Sequence, residues 1–222
     1  MKSNIYNWFN SYTSAYRQSA DATIHELKYQ HSIQVAQNCA QIATQEGFNE
    51  VNTEIIEIIG ILHDCGRFEQ FQQYQTFNDK ESEDHASISL KVIKENKLLD
   101  MLDSQFQKII LSAVYYHNKR DIPQDMDSKD VLPFIKLIRD ADKVDIFRIM
   151  REQLQDPKID KKTLLLNQSE EIVYSAPILE SIRRKELANL NDMKTAVDFR
   201  LIQLSWIFDV NYESTLTLFR KQ

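Results

Sequence analysis

The stretch Glu54-Ile-Ile-Glu-Ile-Ile-Gly-Ile-Leu-His-Asp64 decides the reading of this 222-residue chain. Seven of the nine residues ahead of the His63-Asp64 pair are Ile, Leu or Gly, so the segment reads as a helix buried on nearly all sides. A carboxylate and an imidazole at the end of such a helix are costly to desolvate unless something compensates them. A metal ion does so well. The pair has company: His31 upstream, then His85, His117 and the segment Asp140-Ala-Asp142-Lys143 downstream, each in or beside a helical pattern. Four of the five histidines belong to this series. His25 falls outside it and reads as a surface or supporting residue.

Working outward, long 3.6-residue patterns fill most of the chain, and only three glycines and four prolines interrupt them, so the expected fold is all-α. A first helix is expected from about Asn4 to Gln18. Asp21 is placed to cap a second, which ends at Gly47 and turns Ile24, Leu27, His31, Val35 and Ile42 to one face. The apolar run forms a third, from about Asn52 to His63, in which Gly60 lets another backbone approach closely. Weak periodicity from Cys65 to Glu83 marks a segment that is functional or partly helical. Helices follow at about Asp84–Asn96, Ser104–Tyr116 and Val131–Arg151, with Asn118–Asp130 as a surface loop. Beyond Asp156-Pro157 no ligand cluster is found. A short helix near Glu170 and helices at about Ile178–Leu190, Asp192–Phe208 and Asn211–Arg220 are expected there. The division is therefore residues 1–155, with the ligand-bearing core at about 22–150, and a helical extension over 156–222 packed on the same domain.

A net charge of −6 and a pI near 5.4 argue against general nucleic-acid binding, which needs a basic face. No apolar leader and no run long enough for a bilayer is found, so the expected location is the cytoplasm, away from membranes. Cys39 and Cys65 are too few for a disulfide framework and read as buried thiols, although Cys65 follows the His-Asp pair directly.

Imidazole with carboxylate suits a divalent first-row ion such as Mn, Fe, Co, Ni or Zn. His63 and Asp64 reach one ion only if the helix ends there, and Gly66 agrees with such an ending. Asp142 shares a face with Ile138. Cations lie beside these residues at Arg67, Lys119, Arg120, Lys143 and Arg148. Arg67 and Lys143 are tied by sequence to a candidate ligand; Lys119 and Arg120 are equally well explained as solvated surface. Phe68, Phe71, Tyr74 and Phe77 either fold over the core or stack a base.

The order and spacing of His31, His63-Asp64 and Asp142 resemble the HD-domain superfamily of metal-dependent phosphohydrolases. The resemblance covers roughly Ala22 to Met150. It is similar in more detail to an uncharacterised bacterial subgroup, through Leu62-His-Asp-Cys-Gly-Arg-Phe-Glu-Gln70, Phe77-Asn-Asp79, Asp84-His-Ala86 and His117-Asn-Lys119. Cys65 departs from the aliphatic residue common there. The resemblance implies an all-α HD-domain helical bundle with metal ligands His31, His63, Asp64 and Asp142, the last chosen over Asp140 and Asp145 because it precedes a basic residue. His85 and His117 stand where some branches bind a second metal, or else contact phosphate, so one or two ions per chain are expected. The implied activity is hydrolysis of a phosphate ester or anhydride, with a nucleotide or related small phosphorylated metabolite as substrate. Asp64 then orients the attacking water, Arg67 and Lys143 serve the phosphoryl group, and Lys119, Arg120 and Phe77 are further substrate-binding candidates. Two rivals remain: a di-iron HD-domain oxygenase with a similar ligand set, and a non-catalytic module that docks a partner through Trp206-Ile-Phe208.

Overall fold

A computed structural model describes residues 1–123, 130–153, 169 and 171–221. The helices are α1 (Lys2–Ser14), α2 (Ala22–Gln45), α3 (Glu50–Leu62), α4 (Arg67–Tyr74), α5 (His85–Glu95), α6 (Ser104–Tyr116), α7 (Leu132–Gln153), α8 (Ala176–Arg183), α9 (Ala196–Ser205) and α10 (Glu213–Lys221). No strand occurs among the described residues, only one isolated bridge between Ser169 and Thr195. The chain divides into two compact units, Met1–Asp145 and Ile146–Gln222, with the boundary inside α7. The helix expected near Glu170 and the later part of the Asn118–Asp130 loop lie outside the described residues.

In the first unit α3 is the central rod: Ile55, Ile56 and every residue from Ile58 to Leu62 are buried. Glu54 and Glu57 on this rod are accommodated by α1, which supplies the Lys2 backbone N–H to Glu54 at 2.9 Å and the Tyr6 hydroxyl to Glu57 at 2.8 Å. Gly60 answers to α2. A Cβ there would stand 2.6 Å from Ala36 Cα, so only glycine allows the two backbones to meet. Gly47 ends α2 with φ +74°, the left-handed conformation expected of it.

The weakly periodic segment after Cys65 is helical in its first half, as α4. Phe68 is fully buried against Phe9, Tyr12, Tyr16 and His25, with ring centroids 5.5–6.1 Å away. His25 is therefore no surface residue. It is 2% exposed, stacked on Phe68 and edge-on to Phe71. Helix periodicity placed it off the face of His31, and a second face of α2 turns out to be covered by α4. Phe68 and Phe71 belong to the core and are not free to stack a base.

In the second unit α9 begins with a reciprocal cap: Thr195 Oγ1 accepts from the Asp198 backbone N–H at 3.1 Å, and Asp198 Oδ2 accepts from that of Thr195 at 3.2 Å. Ile178, Ala188 and Ile202 form a small core there, against which Trp206 packs. Ile207 and Phe208 are exposed.

Candidate metal centre

Local chain geometry explains how the ligand candidates meet. His63 caps α3 and Asp64 opens a tight turn, in which the Arg67 N–H donates to the Asp64 carbonyl at 3.0 Å. The turn is stapled to α5 through Ser89, whose Oγ accepts from Gly66 N at 2.9 Å and donates to His63 O at 3.0 Å. A Cβ on Gly66 would lie 2.4 Å from Ser89 N, so this approach too requires glycine. The stapling brings His85, the first residue of α5, beside Asp64. His117 caps the C-terminal end of α6, and buried Arg139 of α7 donates to the carbonyls of Tyr116 and Lys119 there. Asp142, one turn of α7 further on, thereby shares the space of His117.

Each of the four imidazoles is anchored through Nδ1 and points Nε2 inward. His31 Nδ1 lies 2.7 Å from Asp145 Oδ2, and His63 Nδ1 lies 2.7 Å from the Gly60 carbonyl. His85 Nδ1 lies 2.7 Å from Asp79 Oδ2, and His117 Nδ1 lies 2.6 Å from the Val114 carbonyl. Carbonyls and ionised carboxylates only accept, so Nδ1 carries the hydrogen and neutral rings offer bare Nε2 lone pairs. This is the orientation by which outer partners prepare histidines for a metal.

The Nε2 atoms surround two carboxylates. His31 Nε2 is 3.1 Å and His63 Nε2 3.7 Å from Asp142 Oδ1. Asp64 turns Oδ2 to the same two rings, at 3.7 and 3.8 Å, and Oδ1 to His85 and His117, at 3.4 and 3.7 Å. His31 Nε2, His63 Nε2 and Asp142 Oδ1 are buried with no hydrogen-bond partner. Buried polar atoms are rarely left so, and an ion coordinated by nitrogen and oxygen would satisfy all three. The residues fit a divalent cation: His31, His63 and Asp64 lie within 4.8 Å of one another, as do His63, His117 and Asp142, and Asp64, His85 and His117.

Charge agrees with that fit at Asp64, His85 and His63. Burial alone would raise Asp64, but Lys28 and Arg67 hold it well below the usual carboxylate range. Burial pushes His85 down to about 4, helped by Arg67, so that ring is neutral near pH 7. Burial likewise lowers His63. His31 is the exception: burial opposes its charge, yet the carboxylates of Asp142 and Asp145 outweigh it and raise the ring to about 9.

Among the candidate substrate contacts, Arg67 is the best placed: its Nε lies 3.4 Å from Asp64 Oδ1. Its Nη1 is held by Gln70, the Phe77 carbonyl and Asp79 at 2.7–3.2 Å. Lys143 is buried next to Asp142 in α7. Lys119 Nζ is engaged with Asp84 at 2.6 Å, Arg120 is exposed, and Arg148 pairs with Glu152 in the second unit. Phe77 is buried, with Lys28 Nζ 5.0 Å and Arg67 Cζ 5.7 Å from its ring centroid. Cys65 faces Ser89 O at 3.7 Å, away from the imidazoles' common space.

Sequence reasoning gave no role to three residues that the structure brings against the candidate ligands. Lys28 reaches Asp64 Oδ2 at 3.0 Å, and its position one turn before His31 was the available signal. Asp145 orients His31 from one turn beyond Asp142. Asp79 meets His85 Nδ1 at 2.7 Å from a loop, with no periodicity to reveal it.

Four anchored histidines closed around two aspartates within an all-α bundle make a group of side chains that could hold a metal ion. The HD domain family matches residues 29–147, more than half of the chain, and the chain belongs to that family. Comparisons with curated proteins and with solved structures returned no match.

Proposed function

We propose that this chain is a metal-dependent phosphohydrolase that cleaves a phosphate ester or anhydride of a small phosphorylated metabolite, a nucleotide foremost. The HD domain family consists largely of metal-dependent hydrolases. The observation that carries the reading is Asp64, whose two oxygens each face a separate pair of anchored imidazoles. His31, His63, Asp64 and Asp142 would hold one divalent ion (Mn, Fe, Co, Ni or Zn), and Asp64, His85 and His117 a second. Such ions acidify a bound water and neutralise charge growing on phosphoryl oxygens. The chain's own part is to fix that geometry and supply cations. Lys28 and Arg67 flank Asp64 and can take the non-reacting oxygens of the phosphoryl group, with Lys143 beside Asp142. Phe77 keeps the two flanking cations against an apolar surface, where water screens them less. Lys119 and Arg120 would serve the remoter part of the substrate.

The test is a turnover screen of nucleotides, phosphomonoesters and phosphodiesters with protein reconstituted separately with each of the five metals. Phosphate or nucleotide release that vanishes on chelation is the expected result. Oxygen-dependent turnover confined to the iron form would instead identify an oxygenase using the same ligands. Metal-loaded protein inert in both assays would leave a binding module.

A further inference from the structure

We propose that Asp79 is a positioning residue that sets the imidazole of His85 with one carboxylate oxygen and the guanidinium of Arg67 with the other; this rests on the reading of His85 as an ion ligand. Oδ2 lies 2.7 Å from His85 Nδ1 and Oδ1 lies 3.2 Å from Arg67 Nη1. The carboxylate is itself steadied, by Gln70 Nε2 on Oδ1 at 2.8 Å and Asn118 Nδ2 near Oδ2 at 3.4 Å. An ionised carboxylate can only accept. His85 therefore donates from Nδ1 and presents Nε2, without a hydrogen, 3.4 Å from Asp64 Oδ1. On the other side, Arg67 Nη1 also reaches the Phe77 carbonyl at 2.7 Å, so acceptors at both ends of the Phe77–Asp79 turn define the guanidinium plane. Arg67 Nη2 is thereby left 3.3 Å from His85 Nε2.

A simple loop tie would look different. The bond from Gln70 already holds Asp79 to α4, and the side chain is 32% exposed, so it fills no core space. Its second oxygen is committed to a ring nitrogen whose partner nitrogen faces Asp64. One short loop thus orients a ligand and a cation on the same carboxylate of the centre, although Asp79 touches neither Asp64 nor the space between the imidazoles.

The experiment reads the proton on His85 directly. Long-range ¹H–¹⁵N spectra of the whole metal-free chain, with His85 assigned from a His85→Gln spectrum, should show hydrogen on Nδ1. In Asp79→Leu that ring should shift to a mixture or to the Nε2-protonated form. In Asp79→Asn the amide oxygen can still accept, and the Nδ1 form should persist. Cobalt(II) titrations should show one of two ions bound about 10–100-fold more weakly in Asp79→Leu, the other unchanged. An unchanged His85 tautomer in Asp79→Leu overturns the proposal. If Asp79→Leu does not fold, Asp79→Ser, too short to reach the ring, decides by the same spectrum. Wild-type protein that takes up a single cobalt ion would refute His85 as a ligand, and the tautomer spectra would still decide what Asp79 does.

Discussion

His85 Nε2 and His117 Nε2 stand 3.0 Å apart with both Nδ1 atoms already donating elsewhere. Two bare lone pairs at that separation repel unless a positive charge lies between them. A divalent ion held by both rings would supply that charge and satisfy both lone pairs. Metal analysis after reconstitution should therefore approach two ions per chain. In a His85→Ala, His117→Ala double variant it should fall to about one, because His31, His63, Asp64 and Asp142 keep their own place. A stoichiometry of one in both proteins would make these histidines phosphate contacts.

Asp64 serves both halves of the centre, so Asp64→Ala should release most of the metal and abolish turnover. It is buried with Lys28 and Arg67 beside it, and its loss leaves two cations facing each other; far-UV circular dichroism should still report the same helices. Retention of the full metal content would refute the ligand assignment.

Lys28→Met keeps the aliphatic stem and removes the charge. A charge-assisted contact to a phosphoryl group in a partly dry site is worth on the order of 2–4 kcal/mol, so kcat/KM should drop roughly 30-fold or more. The pair with Asp64 is largely buried, with side chains 19% and 5% exposed, so a purely structural role would show as lost stability instead. A variant with normal turnover and a lowered melting temperature would make Lys28 a purely structural partner of Asp64.

Gly60→Ala tests the helix crossing. The new methyl would meet Ala36 Cα at 2.6 Å, a backbone atom that cannot swing aside. Overpacking of this kind costs about 1–3 kcal/mol. A fall of roughly 2–4 °C in melting temperature per kcal/mol follows for a chain of this size. Unchanged melting would mean that α2 and α3 are less tightly apposed.

Asp198 supplies an acid-sensitive point in the second unit. Burial would raise its pKa, but N–H groups of Ser175, Lys194 and Thr195 and the Ser175 hydroxyl donate to the carboxylate and bring it below the ordinary value. A carboxylate whose folded pKa is depressed contributes its stability above the unfolded pKa of about 3.9 and loses it as pH falls through the folded value. Asp198→Asn should lower the urea midpoint at pH 7 and have progressively less effect as the medium is acidified below about pH 4. A pH-independent difference would mean the charge is not what matters there.

The helices of the first unit and the histidines and aspartates that cluster there were legible in the sequence because both are written in local order. His31 shares a 3.6-residue face with Val35, and the His63-Asp64 pair ends a run too apolar to carry charge without compensation. Helix ends were less legible. The left-handed residues that close α4, α5 and α8 are Gln75, Lys97 and Lys185, which carry no stop signal, in a chain with only three glycines.

What only the tertiary structure decided is which side chain orients which. Asp145 meets His31 across 114 residues, Lys28 meets Asp64 across 36, and Asp84 takes up Lys119 across 35. Periodicity assigns a residue to a face of its own helix and is silent on which element covers that face. His25 is buried because α4 packs on it, and the choice of Asp142 for the imidazoles' common space and Asp145 for the far nitrogen of His31 depends on the rotation of α7. Such pairings arise from packing between elements distant in the chain, and no local pattern encodes them.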